Sequence, residues 1–449
     1  MEKKSFYSKA MKVAWPSVLE SFFITLTGLI DTFMVSSLGK EAIAAVGLTN
    51  QPKFIGLSFF FSINVAVSAL VARRKGEEDK NSANTVLVTA FAIAAVLTAI
   101  ITFVFVKYSE TILRWAGSNS DTHELADEYF RIIMGFVFFN VIGMLINAAQ
   151  RGSGNTQIAF TTNFVSSIVN MIFNYLLIGG NLGFPELGVR GAAIATVVGT
   201  AVASIMSIRS LFKPHSYVDI RYILARKIKP RVEEAISIAK LGLNMFVENI
   251  AMRIGFLATA LLAAGLGTAQ FAAHNVGMQV LSLGFAFADG MQVAAVSLAG
   301  QSLGAGRKED AKTYGQVCQR IGLAISIGLS VILFVFGKHI FKLFFDANAE
   351  PEIIEYGVLI TRFITVIVIL QISQIIYGGC LRAGGDVKYT LMASIVSVSI
   401  IRTVVTYVLV NGFHLGLTGI WIGILSDQFS RFVMMSLRFK TGKWVNIKI

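Results

Sequence analysis

The chain has 449 residues, of which 55% are hydrophobic and only 14% are charged, and its mean hydropathy is +0.68. Because soluble domains carry roughly 25% charged residues, this composition excludes a water-soluble globular protein. The formal net charge of +13 would suit a nucleic-acid partner, but the placement of the basic residues accounts for it in another way.

Long apolar runs follow one another along the whole chain and predict membrane-spanning helices, since one span needs about 20 apolar residues. The first run is too long for the core of a signal peptide and lacks a small-residue cleavage site, so we expect it to be retained. The predicted spans are 14–38, 47–71, 86–107, 129–150, 158–180, 188–212, 236–265, 275–300, 315–336, 353–382, 388–411 and 414–437.

Basic residues collect in alternate connections between these spans, which is the positive-inside bias of membrane proteins. Arg73, Arg74 and Lys75 follow the second span, whereas the opposite connections carry acids such as Glu110 and Asp121. The bias predicts a multi-pass protein of a bacterial or archaeal cytoplasmic membrane with both termini in the cytoplasm. It also explains the net charge, so we expect membrane lipid and no nucleic acid as a partner.

The second half of the sequence repeats the first. The paired residues, at offsets of 228 or 231, include Glu20 with Glu248, Leu38-Gly39 with Leu266-Gly267, Arg151 with Arg382, Gly154 with Gly385, and Gly188 with Gly416. The expected fold is therefore an all-α membrane protein with twelve transmembrane helices in two six-helix lobes related by pseudo-two-fold symmetry. We expect an N-terminal lobe at 1–212, a basic cytoplasmic linker at 213–235 and a C-terminal lobe at 236–449.

Parallel repeats of this kind are typical of secondary transporters, which bind substrate near mid-membrane and rock one half against the other. Several stretches also resemble the multidrug and toxic compound extrusion (MATE) transporters of prokaryotes, with features of the damage-inducible (DinF-like) branch. These stretches are WPSVLESFFITLTGLIDTFMVSSLGKEAIAAVGL (15–48), QRGSGNTQIA (150–159), NYLLIGGNLGFPELGVRGAAIAT (174–196), LGAGRKEDA (303–311) and LRAGGDVKYT (381–390).

The resemblance implies an antiporter, driven by protons or sodium, that exports cationic, lipophilic drugs and toxins by alternating access. It implies no enzyme activity and no cofactor beyond the coupling ion, and we expect a monomer whose substrates are small cationic molecules. The sequence departs from the family at two positions, since Asn174 and Gln371 stand where many members have aspartate.

Acidic side chains inside a span are costly and are functional candidates by default. Glu20 and Asp31 are eleven residues apart, which places them on one face of a helix, three turns from each other. The resemblance places Asp31 with Asn170, Asn174 and Thr196 around a proton or cation site, with sodium at Asp31 as the one metal to consider. Asparagine at 174 lowers the negative charge of that site and favours protons.

Glu20, Glu248 and Gln371 are the candidates for substrate binding or coupling outside that site. Glu248 is the repeat mate of Glu20 and matches an acid of the family's seventh helix. The alternative for both glutamates is a protonated or paired carboxyl group that fixes helix packing. Asp427 lies four residues before Arg431, a spacing that predicts an ion pair on one helix.

Two other functions remain open from the sequence. A flippase for a lipid-linked sugar precursor would share the two-lobed architecture but should have a strongly cationic centre. A membrane-embedded enzyme would need a nucleophile with a base, or a metal-ligand cluster, and the sequence has no zinc-ligand spacing, P-loop or dinucleotide motif.

Overall fold

The computed structural model describes residues 3–214, 216–344 and 351–447, and within those ranges the chain is helical with no β-strand. The helices of the first half are α1 (Lys3–Ser36), α2 (Lys40–Gly76), α3 (Lys80–Lys107), α4 (Ser109–Trp115), α5 (His123–Gly135), α6 (Val137–Gly152), α7 (Thr156–Ile178) and α8 (Gly188–Ser210). Those of the second half are α9 (Ile220–Ala225), α10 (Val232–Ala264), α11 (Thr268–Gly304), α12 (Lys308–Phe344), α13 (Pro351–Ala383), α14 (Val387–Gly412) and α15 (Gly416–Thr441).

The described helices are arranged as twelve membrane spans, one of which combines two helices. In the described part of the chain, ten single helices are long and apolar enough to span a bilayer. The eleventh span is α5 with α6, where the predicted helix 129–150 is bent by 46° between Gly135 and Val137. The twelfth is α15, whose polar residues Asp427, Gln428 and Arg431 are all buried inside the protein. The predicted fold class is thereby confirmed.

The chain forms two compact units. The N-terminal unit is Leu19–Leu243, and the C-terminal unit holds the chain up to Val18 together with the chain from Asn244. Helix α1 therefore contributes its first half to one unit and its second half to the other. The basic segment predicted as a linker packs within the N-terminal unit, where Arg74 contacts Glu234 at 3.1 Å and the Tyr217 hydroxyl donates to the Arg74 carbonyl.

The internal repeat extends to the backbone conformation of the turns. Gly39 and Gly267 have φ of 103° and 113°, and Gly154 and Gly385 have φ of 82° and 85°. Positive φ is readily adopted only by glycine, which explains why both halves carry glycine at these turns. One pair differs, because Glu78 has φ of 60° where its mate Gly306 has φ of 72°.

Helix α14 differs from its repeat mate α7 by two π-helical segments, at Ile395–Arg402 and Val408–Gly412. A π turn accommodates one extra residue in a helix and is frequent at functional positions. The extra residue changes which side chains of α14 face the neighbouring helices, and the predicted span 388–411 gave no sign of it.

Candidate cation-coupling site

Asp31 lies at the centre of a polar cluster inside the N-terminal unit. Its Oδ1 atom accepts a hydrogen bond from Nδ2 of Asn174 at 2.7 Å. Asn170 and Asn174 are both buried on α7, and Thr196 of α8 lies beside Asn170. The structure therefore brings together the four residues that the sequence suggested for this site.

The side-chain amide of Asn170 can be oriented in two ways, and one of them gives each of its ends a suitable partner. In that orientation Nδ2 donates to Asp31 Oδ1 at 2.6 Å, and Oδ1 accepts from the backbone N–H and the hydroxyl of Thr196, both at 3.2 Å. Asp31 then receives two amide donors from α7, one turn apart.

Helices α1 and α7 run in the same direction with matched polar positions. Glu20 accepts from Asn163 Nδ2 at 2.5 Å and Asp31 accepts from Asn174, so the contacts repeat after eleven residues on both helices. Eleven residues complete three helical turns, which keeps the two contacts on one face. Phe23 packs on α7 between them, with its ring centroid 4.8 Å from that of Phe164.

Lys53 of α2 and Tyr129 of α5 also face Asp31. Lys53 interacts electrostatically with the Asp31 carboxylate, although no lysine or arginine nitrogen of the described chain lies within 4 Å of it. Tyr129 is buried beside Asp31 and Thr196, in an apolar cluster with Val35 and Ile178. The sequence reasoning overlooked Lys53, although a lysine inside the predicted span 47–71 was itself a signal.

Glu20 has a charged partner at the other end of the same face. Arg151 Nη2 donates to Glu20 Oε1 at 2.5 Å, and the Glu20 side chain is only 4% exposed. Arg151 is the penultimate residue of α6, so the ion pair joins α1 to the end of α6 and, through Asn163, to α7.

Glu248, the repeat mate of Glu20, makes the corresponding contacts in the C-terminal unit. Its carboxylate accepts from Arg382 Nη2 at 2.7 Å, from the Ser394 hydroxyl at 2.7 Å and from the Thr390 hydroxyl at 3.3 Å. Arg382 also donates to Gln292 at 3.0 Å. The buried charge of Glu248 is therefore balanced within its own unit.

Asp427 is completely buried in the C-terminal unit, where it contacts two arginines. Arg431 Nη2 lies 2.7 Å from Asp427 Oδ1, which confirms the ion pair predicted from their spacing. Arg402 Nη1 lies 3.5 Å from Oδ2, its Nε donates to the Thr259 hydroxyl at 2.9 Å, and its guanidinium covers the ring of Phe256. Two arginines and one aspartate give this cluster an excess positive charge.

Gln371 is buried on α13 and lies apart from the contacts of Glu248. Neither polar atom of its amide has a hydrogen-bond partner among the described residues, and the amide oxygen lies against Gly284 of α11. No group of three or more His, Cys, Asp or Glu side chains in the described ranges is arranged to hold a metal ion.

The family model named MatE matches residues 16–176 and again residues 245–408, once in each half of the chain. The chain belongs to the MatE family. Members of this family are membrane transporters and not enzymes, and this chain is a multi-pass transporter of the multidrug-efflux type.

Relatives and solved structures of the family match over nearly the full length. A probable multidrug resistance protein NorM of Thermotoga maritima is 26% identical over 97% of this chain and 92% of its own length. The uncharacterized transporter YisQ of Bacillus subtilis is 24% identical over 96% of this chain and 94% of its own length. A solved structure of MATE in complex with MaL6 superposes with a TM-score of 0.90, at 26% identity, over 98% of this chain and 97% of the other.

An outward-facing structure of a multidrug resistance MATE family transporter of the MOP superfamily superposes with a TM-score of 0.89. It is 26% identical and covers 98% of this chain and 97% of the other.

Proposed function

We propose that this MatE protein exports cationic, lipophilic drugs and toxins by alternating access, in exchange for protons that bind Asp31. In this proposal both termini lie in the cytoplasm, and the transporter acts as a monomer in a bacterial or archaeal cytoplasmic membrane. The multidrug resistance proteins among its relatives support the substrate class.

The observation that carries the proposal is the difference between the half-buried Asp31 and three fully buried acids. Glu20, Glu248 and Asp427 each contact an arginine at 2.5–2.7 Å. Asp31 instead accepts hydrogen bonds from neutral amides and has no lysine or arginine nitrogen within 4 Å in the described chain. A carboxylate without a close counter-ion in a membrane interior is costly, so it favours a visiting proton or cation.

The surroundings of Asp31 favour a proton over sodium. Sodium needs several oxygen ligands, but the amides of Asn170 and Asn174 present their N–H groups to the carboxylate. The positive charge of Lys53 on α2 also repels a second cation. A proton needs only one carboxylate oxygen and removes the charge that these donors stabilise.

Antiport follows because the proton and the drug compete for the negative charge of Asp31. When Asp31 is ionised, its negative charge favours a bound organic cation in the same transporter. When a proton from the outside binds Asp31, that attraction is lost and the two amide donors lose their charged acceptor, so the contacts of α1 with α7 change. Proton binding and drug binding then exclude each other, which is the condition for antiport.

The Arg402–Asp427–Arg431 cluster is the one observation that favours a flippase for an anionic lipid-linked precursor. Its arginines already have partners, because Arg402 contacts Thr259, Phe256 and Asp427, and Arg431 contacts Asp427. We therefore infer that the cluster stabilises the C-terminal unit.

The test measures efflux of a fluorescent cationic dye from proteoliposomes, first under an imposed pH gradient and then under a sodium gradient. We expect the pH gradient to drive efflux and the sodium gradient at constant pH to have no effect. The Asp31→Asn variant keeps the size and the hydrogen bonds of the side chain but cannot exchange a proton, so we expect it to lose pH-driven efflux.

Asp121→Asn is the matched control, because Asp121 lies exposed in a connection and the variant should transport like the wild type. Full pH-driven efflux by Asp31→Asn would refute the proposal. Efflux driven by sodium alone would replace the proton with sodium as the coupling ion.

A further inference from the structure

A cavity with mixed polar and apolar walls lies between α6, α7 and α8 of the N-terminal unit, away from the contacts of Asp31 itself. Its volume is about 50 Å³, and its lining includes Asn147 and Arg151 of α6, Asn163 and Ser166 of α7, and Thr200 of α8. One buried water needs roughly 10–15 Å³ on this measure, so the cavity has room for about three waters.

The cavity begins one helical turn from the Asp31 cluster. Ser166 precedes Asn170 by four residues on α7, and Thr200 follows Thr196 by four residues on α8. Ser166 and Asn170 both contact the backbone of α8 at Gly199, where an added Cβ would lie within 3.1 Å of each of them. The absence of a side chain at Gly199 allows α7 and α8 to approach closely at this point.

The other end of the cavity meets the Glu20–Arg151 ion pair. Arg151 and Asn163 both line the cavity, and both donate to Glu20. The polar positions Asn163, Ser166, Asn170 and Asn174 thus form one continuous stripe along α7 that joins Glu20 to Asp31.

One polar atom of the cavity lining, the Nε atom of Arg151, is buried and has no hydrogen-bond partner within the described chain. Two more such atoms lie on the neighbouring helices outside the lining, the Ser204 hydroxyl on α8 and the Oδ1 atom of Asn174 on α7. An unsatisfied polar group is costly in a membrane interior, so the Nε atom of Arg151 favours water in the cavity.

We infer that this cavity, lined by Asn163, Ser166 and Thr200, holds a chain of waters that carries protons between Asp31 and the Glu20–Arg151 ion pair. The inference rests on the proposed proton coupling at Asp31. A proton leaves the Asp31 carboxyl group for the nearest water, which leaves a carboxylate behind, and it passes along the hydrogen-bonded waters. The amides and hydroxyls hold the waters in place, and their own protonation does not change.

In the expected orientation, Arg151 lies near the cytoplasmic end of α6, so this route takes protons inward within the N-terminal unit. The proton then leaves Asp31 by a route that the drug does not use. The last water of the chain passes its proton to the Glu20 carboxylate, which is the proton acceptor at the inner end and becomes a neutral carboxyl group beside Arg151.

The test replaces the polar wall of the cavity with groups of equal size. The double variant Ser166→Ala with Thr200→Val removes two hydroxyls and no charge, and it leaves Asp31 and its amide donors in place. We expect pH-driven dye efflux to slow by about tenfold or more, because the proton loses its relay. We expect the equilibrium affinity for the dye to change by less than about twofold, because the drug does not use this cavity.

The matched control is Thr161→Val, because Thr161 is exposed on α7 and its hydroxyl donates to the carbonyl of Gln157 on its own helix. We expect this control to transport like the wild type. Thr200→Ser, which keeps the hydroxyl, should restore most of the rate in the Ser166→Ala background and so separates a relay from a folding defect.

The outcomes of this test are distinct from failure of the proposed function. If the double variant transports at the wild-type rate while Asp31→Asn is inactive, the water chain is wrong and coupling at Asp31 stands. If the double variant loses dye affinity and not rate, the cavity is part of the drug site and the inference is overturned. If Asp31→Asn itself transports, the proposed coupling fails first.

Discussion

The two units place opposite charges in equivalent contacts between helices. Asp31 follows Glu20 by eleven residues, and its repeat mate Thr259 follows Glu248 by eleven residues. In the N-terminal unit the amide of Asn170 donates to Asp31, whereas in the C-terminal unit the guanidinium of Arg402 donates to Thr259. One unit has an acid with neutral donors at this position, and the other has a cation with a neutral acceptor.

The π turn of α14 explains why Arg402 of the C-terminal unit corresponds to Asn170 of the N-terminal unit. Ser394 matches Asn163, because each donates to the first glutamate of its unit. From there Arg402 is eight residues further, whereas Asn170 is seven, and the extra residue lies in the π-helical segment Ile395–Arg402. Among the contacts of these matched residues, the acid that accepts from neutral amides lies in the N-terminal unit, and the following predictions test that difference.

The largest effect on stability should come from Asp427. Asp427→Asn would leave two buried arginines without their counter-ion, which should cost about 3–5 kcal/mol in the free energy of unfolding. Asp31→Asn should change it by less than about 1 kcal/mol, since no lysine or arginine nitrogen of the described chain lies within 4 Å of Asp31 and its interaction with Lys53 is longer. Thermal unfolding in detergent, followed by size-exclusion chromatography, would measure both.

A double variant, Asp427→Asn with Arg431→Gln, serves as the control for this prediction. The loss of one positive charge returns the net charge of the cluster to its wild-type value, so this variant should recover part of the stability. Equal melting temperatures for Asp427→Asn and the wild type would show that Asp427, like Asp31, can lose its charge without a loss of stability.

An intermediate loss of stability is expected on substitution of Glu20 and Glu248, the glutamates that recur in the two halves. Glu248→Gln weakens contacts with Arg382 and two hydroxyls, and we expect a loss of about 2–3 kcal/mol in the free energy of unfolding. Glu20→Gln affects Arg151 and Asn163 and should cost less, about 1–2 kcal/mol, because its ion pair is slightly more exposed.

The same variants distinguish helix packing from substrate binding. If Glu248→Gln lowers dye affinity while the melting temperature stays constant, Glu248 attracts substrate, as the sequence suggested. If it lowers stability and leaves the affinity of the remaining folded protein intact, Glu248 fixes the packing of α10, α13 and α14.

The smallest change in the free energy of unfolding should come from a substitution in a turn. Gly306 has φ of 72° and no atom within 4 Å of an added Cβ, so Gly306→Ala tests the backbone alone. We expect a loss of about 1 kcal/mol, because an L residue is strained at positive φ. Its mate Glu78 already bears this strain, and Glu78→Gly should stabilise the N-terminal unit by a few tenths of a kcal/mol.

Gly328→Ala in α12 is the control, since Gly328 has helical φ and equally open surroundings. It should be neutral or stabilising by up to about 1 kcal/mol, because alanine is the better helix former. A loss at Gly328 as large as that at Gly306 would contradict the argument from backbone strain.

The sequence predicted the helices and the repeat because both depend on local patterns. Apolar runs identify spans, and glycines at matched turns identify the repeat without any knowledge of packing. The Asp427–Arg431 pair followed from spacing on one helix in the same way. The bend between α5 and α6 and the π turns of α14 could not be predicted, because they depend on how neighbouring helices pack.

The sequence predicted which residues form the candidate site, but not all the contacts that the buried acids make. The resemblance named Asp31, Asn170, Asn174 and Thr196, and hydrogen bonds join them in the structure. The partners of Glu20 and Glu248 are more than 130 residues away in sequence, at Arg151 and Arg382, so only the tertiary structure could reveal these pairs. Lys53 was detectable as a charge within a span.

The matched glutamate–arginine pairs also carry a record of how the chain arose. A gene duplication copies whatever the single half already contained, so a feature present twice predates the event. The recurrence of the Glu20–Arg151 pair as Glu248–Arg382 is what duplication of a half-length chain containing this pair would produce. Asp31 and Arg402 have no counterpart of the same charge at the matching position of the other half, so the two halves differ where they would be free to specialise.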